Sequence, residues 1–93
     1  QLIEIPLPTQ QDRVEIFQAI QRYGQLDGRS MPMDEEILHS FEQLAQRLDK
    51  RTPADIRAIC REAALEALRE DKNAETIRYE HMDKAIRAFL SKY

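Results

Sequence analysis

The side chains able to do chemistry in this sequence are few and scattered: two histidines, one cysteine and 17 carboxylates. His39 and His81 have no second His or Cys at metal-ligand spacing, so each reads as a surface or half-buried histidine and no metal is expected. Cys60 falls on an apolar helical stripe, where a thiol is an inert small hydrophobe and not a nucleophile. The carboxylates, Glu66 among them, sit mostly on outer faces, whereas an acid/base pair needs burial or a cleft to drive its pKa values apart. A phosphate cradle of the form G-x-x-x-x-G-K-[ST] is absent, and two glycines in 93 residues could not build one. No catalytic residue is expected, and the chain should not hydrolyse nucleotide on its own.

What remains is a scaffold. A length of 93 residues fits one domain with an economical core. Few Gly and Pro, with abundant Leu, Ile, Ala, Glu, Arg and Gln, favour helix because straight side chains lose little rotamer freedom there. An all-α fold follows. The 14 basic and 17 acidic residues give a net charge of -3. They are interspersed, which argues against the basic stripe of a nucleic-acid binder. A lone cysteine gives no intramolecular disulfide, and no apolar run approaches the roughly 18 residues of a membrane span. A soluble cytoplasmic protein with no membrane contact is the expectation.

Along the chain, Leu2 to Ile5 look like a strand tail, and Pro6-Leu7-Pro8 forces extended backbone. A strand without a partner in a helical sequence suggests a sheet that lies elsewhere. Thr9 with Asp12 is a capping-box variant that starts a first helix, whose apolar face is Ile16, Phe17, Ile20 and Tyr23, and Gly24 stops it. Asp27-Gly28 opens a loop running to Pro32. Asp34 caps a second helix with Glu35 and Glu36 in its first turn and Ile37, Phe41, Leu44 and Leu48 on one face. Arg47, Lys50 and Arg51 close it, either as a charged last turn or as a patch facing another subunit.

Thr52-Pro53-Ala54-Asp55 is the sharpest signal, with a cap, Pro at the first helical position and a carboxylate that reaches back. The third helix buries Ile56, Ile59, Cys60, Ala63, Ala64, Ala67 and Leu68, and its alanines imply a close neighbouring helix. A fourth stretch sets Tyr79, Met82, Ile86 and Phe89 at helical spacing, flanked by Ala85 and Leu90. Four inward stripes joined by short loops make a compact four-helix bundle.

From Ile3 to about residue 90 the chain resembles the helical C-terminal lid (small) domain of the classical AAA ATPases, a group that includes the proteasomal ATPases, membrane-anchored AAA proteases and katanin-like severing enzymes. Glu4-Ile5-Pro6-Leu7-Pro8 followed by Arg13, Ile16 and Phe17 is similar to the family's hinge and first helix. Leu44 to Ile56 aligns without a gap to L-A-x-R-T-x-G-[FY]-S-G-A-D-[IL], and Ala58 to Ala64 to x-[LI]-[CV]-x-E-A-A. The chain departs where the family usually has Gly-aromatic (Lys50-Arg51), Gly (Pro53), Asp-Phe (His81-Met82) and an adenine-touching histidine (Ile20).

The resemblance implies that residues 1-8 are a hinge or strand remnant of a nucleotide-binding core and that 9-93 are the helical lid. ATP or ADP and Mg²⁺ would be held by the core of the same protein. The lid would close over the base and pack on the neighbouring subunit of a homo- or hetero-hexamer that remodels or unfolds a protein substrate. Rotation would occur at Ile5 to Pro8. Base-proximal residues would be Ile16, Ile20, Pro53 and Ala54, against each of which stands the reading that it is simply core or cap. A free-standing helical adaptor that binds a partner protein through one helix face is the alternative.

Overall fold

The computed structural model describes residues 6–24 and 31–92. These form α1 (Gln10–Tyr23), α2 (Glu35–Leu38), α3 (Phe41–Arg47), α4 (Pro53–Glu70) and α5 (Tyr79–Lys92). The described residues are all-helical apart from one isolated parallel bridge between Met33 and Ile77. The strand tail at Leu2 to Ile5 and the Asp27-Gly28 turn lie outside the described residues.

Both expected capping boxes form. The Thr9 hydroxyl accepts from the Asp12 N–H while Asp12 accepts from the Thr9 N–H, and Thr52 and Asp55 do the same at α4. Each box satisfies two backbone donors that a helix start would otherwise leave unpaired. Pro53 occupies the first position of α4, where its missing N–H costs nothing. Gly24 ends α1 at φ 103°, a value that only glycine adopts freely.

One predicted helix is two. The segment that Asp34 caps stops after Leu38 and restarts at Phe41. The N–H of Ser40 bonds to the Ile37 carbonyl, a tight three-residue closure that turns the chain. The turn brings Phe41 onto Phe17, with stacked rings 5.5 Å between centroids. That aromatic contact stabilises by about 0.5–1.5 kcal/mol beyond its burial, which helps explain why the helix is broken there. Leu48 is buried as expected but caps α3 from outside the helix.

The core gathers Phe17, Ile37, Leu44, Leu48, Ile56, Ile59, Ile77, Met82 and Ile86, all essentially inaccessible. The most extensive packing is between α4 and α5, and Ala63, Ala64 and Ala67 are all buried. Tyr23 departs from its predicted apolar face and is 80 % exposed at the end of α1.

Candidate functional site

The four residues that could face a base fall in two places. Ile16 and Ile20 stand one turn apart on α1, the first half-buried and the second 6 % exposed as part of the core. Pro53 and Ala54 are exposed on the first turn of α4, the helix against which α1 also packs. Of the four, Ile20 has the least surface to offer a ligand.

The groups that organise the N-terminus of α5 are more tightly built. The Asp34 carboxylate accepts from the Ile37 N–H at 2.8 Å with one oxygen and from the Tyr79 N–H at 3.0 Å with the other, capping α2 and α5 together. The backbone beside it is tied as well, through Asp34 N–H to the Ile77 carbonyl and Ile77 N–H to the Pro32 carbonyl. His81, on the third residue of α5, accepts the Arg78 N–H through Nδ1 at 3.0 Å. This is the job of the acid in a capping box, so a histidine fills the role that an acidic residue would have at this position.

His81 is buried, 6 % exposed, where the sequence suggested a surface or half-buried histidine. Its Nδ1 lone pair is spent on a backbone donor, which places the proton on Nε2, and Nε2 lies 3.0 Å from Glu70. Glu70, Glu80 and His81 bring three possible ligand atoms within 4.8 Å of one another. In that tautomer the nitrogen facing the carboxylates donates a hydrogen bond and has no lone pair for a metal. Burial alone pushes the Cys60 thiol up to about 12, so it stays protonated and unreactive at neutral pH.

Between α4 and α5 lies a groove of about 770 Å³, with Ile59, Ala85 and Phe89 on its floor and Arg51, Glu62 and Arg69 along its rim. The Arg51 guanidinium sits 5.3 Å from the centroid of the Phe89 ring, a cation–π contact. Arg69 pairs with Glu62 and Glu66, and Lys84 reaches Glu66 at 2.9 Å from α5. Glu66 is thus a cross-helix tie and not a free surface acid. The hydrogen bond from Lys84, and then that from Arg69, hold its carboxyl below the ordinary 4.5. No local signal marked the bond to Lys84, because that partner is supplied by another helix.

The pattern of the AAA+ lid domain matches residues 39–84, from the α2–α3 break into α5. The proteasome-activating nucleotidase of Archaeoglobus fulgidus is 35% identical over 91 residues, covering 98% of this chain and 20% of that protein. ATPase family gene 2 protein homolog A of Homo sapiens is 38% identical over 85 residues, 91% of this chain and 8% of the relative. The cell division cycle protein 48 homolog of Archaeoglobus fulgidus is 37% identical over 68 residues, 73% of this chain and 8% of the relative. The chain thus spans about a fifth or less of the length of these relatives. An all-helical fold, a capped α4 carrying the buried alanine stripe and these likenesses agree: the chain belongs to the AAA+ lid domains of the classical AAA ATPases.

Proposed function

We propose that this chain is the lid of an ATP-driven AAA machine that remodels or unfolds proteins. It closes over a nucleotide held by a core domain and packs on the neighbouring subunit of a homo- or hetero-hexamer in the cytoplasm. The observation that carries this reading is likeness across 98% of the chain to a nucleotidase of which it matches only 20%. The chain then contributes one working part of such a protein. Residues 1-8 act as the hinge from the core, with rotation at Ile5 to Pro8, and 9-93 as the lid.

The residues present suit a base and not its phosphates. Pro53, Ala54 and the open side of Ile16 are apolar surfaces that can lie against a flat heterocycle, while Ile20 offers only an edge. Nothing in the sequence resembles a glycine-rich phosphate loop, so ATP or ADP with Mg²⁺ is held by the core, which supplies the hydrolytic chemistry. What the lid adds is closure and exclusion of water from the base.

Amide exchange of the intact protein, with and without a non-hydrolysable ATP analogue, tests this. The first turn of α4, at Ala54 and Asp55, and the amides around Ile16 are expected to gain protection when nucleotide is saturating. Unchanged exchange at both places would exclude the lid from the nucleotide site.

A further inference from the structure

Arg13 is the one cation among the described residues that is buried in the fold, 4 % exposed. Its Nε donates to the Ala45 carbonyl at 2.8 Å and its Nη1 to the Pro8 carbonyl at 2.8 Å. Its Nη2 stands 3.9 Å from the exposed Asp49 carboxylate. Ala45 lies in the last turn of α3, where the carbonyl-rich end of a helix favours a cation. The guanidinium thus joins the start of α1, the end of α3 and the segment that leads into α1, reaching 32 residues along the chain for one bond and five for the other.

We infer that Arg13 clamps Pro8 and Thr9 onto the bundle, so that the last hinge residue turns with the lid as part of its rigid body. A buried guanidinium must satisfy its donors, and charge-assisted bonds to two carbonyls in a fixed fork do so while fixing both carbonyls in direction. Pro8 adds a ring-locked φ, and Leu7 before it is held extended. The Thr9 N–H, in the same peptide plane as the Pro8 carbonyl, is also held by Asp12. Rotation between lid and core is then confined to bonds on the N-terminal side of the Pro8 carbonyl, where Pro6 and Leu7 are exposed. The functional consequence rests on the lid reading; the clamp is a property of this chain alone.

Nuclear relaxation in the 93-residue chain tests it, read at the Pro8 Cα and at the Thr9 amide. The unaltered chain should give a Pro8 order parameter near the roughly 0.85 of rigid backbone. In Arg13→Lys, whose ammonium keeps the charge but cannot fork between two carbonyls, it should fall below about 0.6 while α4 amides stay unchanged. Asp12→Ala removes the other tie on the same peptide plane and should loosen Pro8 and Thr9 less than Arg13→Lys does. A rigid Pro8 in Arg13→Lys overturns the proposal, and so does a Pro8 that loosens equally in Asp12→Ala. A mobile Pro8 in the unaltered chain overturns it too, a result that needs no variant to fold. Failure of the lid reading shows elsewhere, as nucleotide-independent exchange in the intact protein with these order parameters as stated.

Discussion

Lys50 holds the left-handed backbone, φ 66°, at the sharp turn between α3 and α4, the only described non-glycine residue to do so. A side chain there crowds the following carbonyl at a cost of about 1–2 kcal/mol. The family resemblance puts glycine at this position and an aromatic residue at the next, and both departures have physical answers. Lysine tolerates the conformation at a cost, and Arg51 lays its guanidinium on the Phe89 ring. His81 answers a third departure by accepting the Arg78 N–H as a carboxylate would. These substitutions were visible in the sequence, but their roles were not, because each depends on a backbone angle or on a partner outside its local window. Lys50→Gly should therefore stabilise the chain. The relief of crowding is offset in part by the extra unfolded-state freedom of glycine, leaving a gain of about 0.5–1 kcal/mol. A urea midpoint that rises at unchanged slope is the expected result, and a lower midpoint would mean that Lys50 makes a contact worth more than its strain.

Capping patterns decided how far the helices could be read in advance. Both boxes are contained within four residues of sequence, and α1 and α4 start where those residues put them. The break at His39 and Ser40 has no such signal. It follows from where Phe41 must go to meet Phe17, a tertiary demand that overrides a continuous apolar stripe. Asp34 shows the same boundary: its cap on α2 was legible, while its second bond, to Tyr79 45 residues away, was not. Because one carboxylate starts two helices, Asp34→Ala should cost about 2 kcal/mol, roughly twice the loss of an ordinary cap. Asp34→Asn, with a single acceptor oxygen, should fall between. Denaturant midpoints in that order would confirm the double role, and an alanine variant within about 0.5 kcal/mol of the parent would refute it. The tie between α4 and α5 at Glu66 adds a pH dependence. Since its carboxyl is held below 4.5 in the fold, it stabilises the native state above that value, and the contribution is lost as pH falls through the lower, folded value. The stability difference between the parent and Glu66→Gln should be constant near neutral pH and shrink below about pH 4.5. Added salt should shrink it as well, because the Lys84 and Arg69 side chains are largely exposed. A difference independent of pH from 3 to 7, as roughly the carboxylate range and above, would show that packing and not charge gives Glu66 its effect.

At the scale of the whole molecule, the proposed lid role carries an expectation for how the chain by itself meets nucleotide. On the proposed reading, the surfaces offered to a base are the first turn of α4 and the open side of Ile16, with Ile20 buried in the core. Covering about 100 Å² of apolar area there would gain about 2.5 kcal/mol. Association costs about 4 kcal/mol or more in lost translational and rotational freedom, so base contacts of this size cannot sustain a complex. The missing free energy must come from phosphates and Mg²⁺, for which the sequence supplies neither a glycine-rich loop nor its lysine and hydroxyl. Calorimetric titration of the 93-residue chain with Mg-ATP should therefore give no binding tighter than about 1 mM, equivalent to about −4 kcal/mol, and no release of phosphate above background. Micromolar affinity would reveal a phosphate site within this chain, and the division of labour between a hydrolysing core and a closing lid would have to be redrawn.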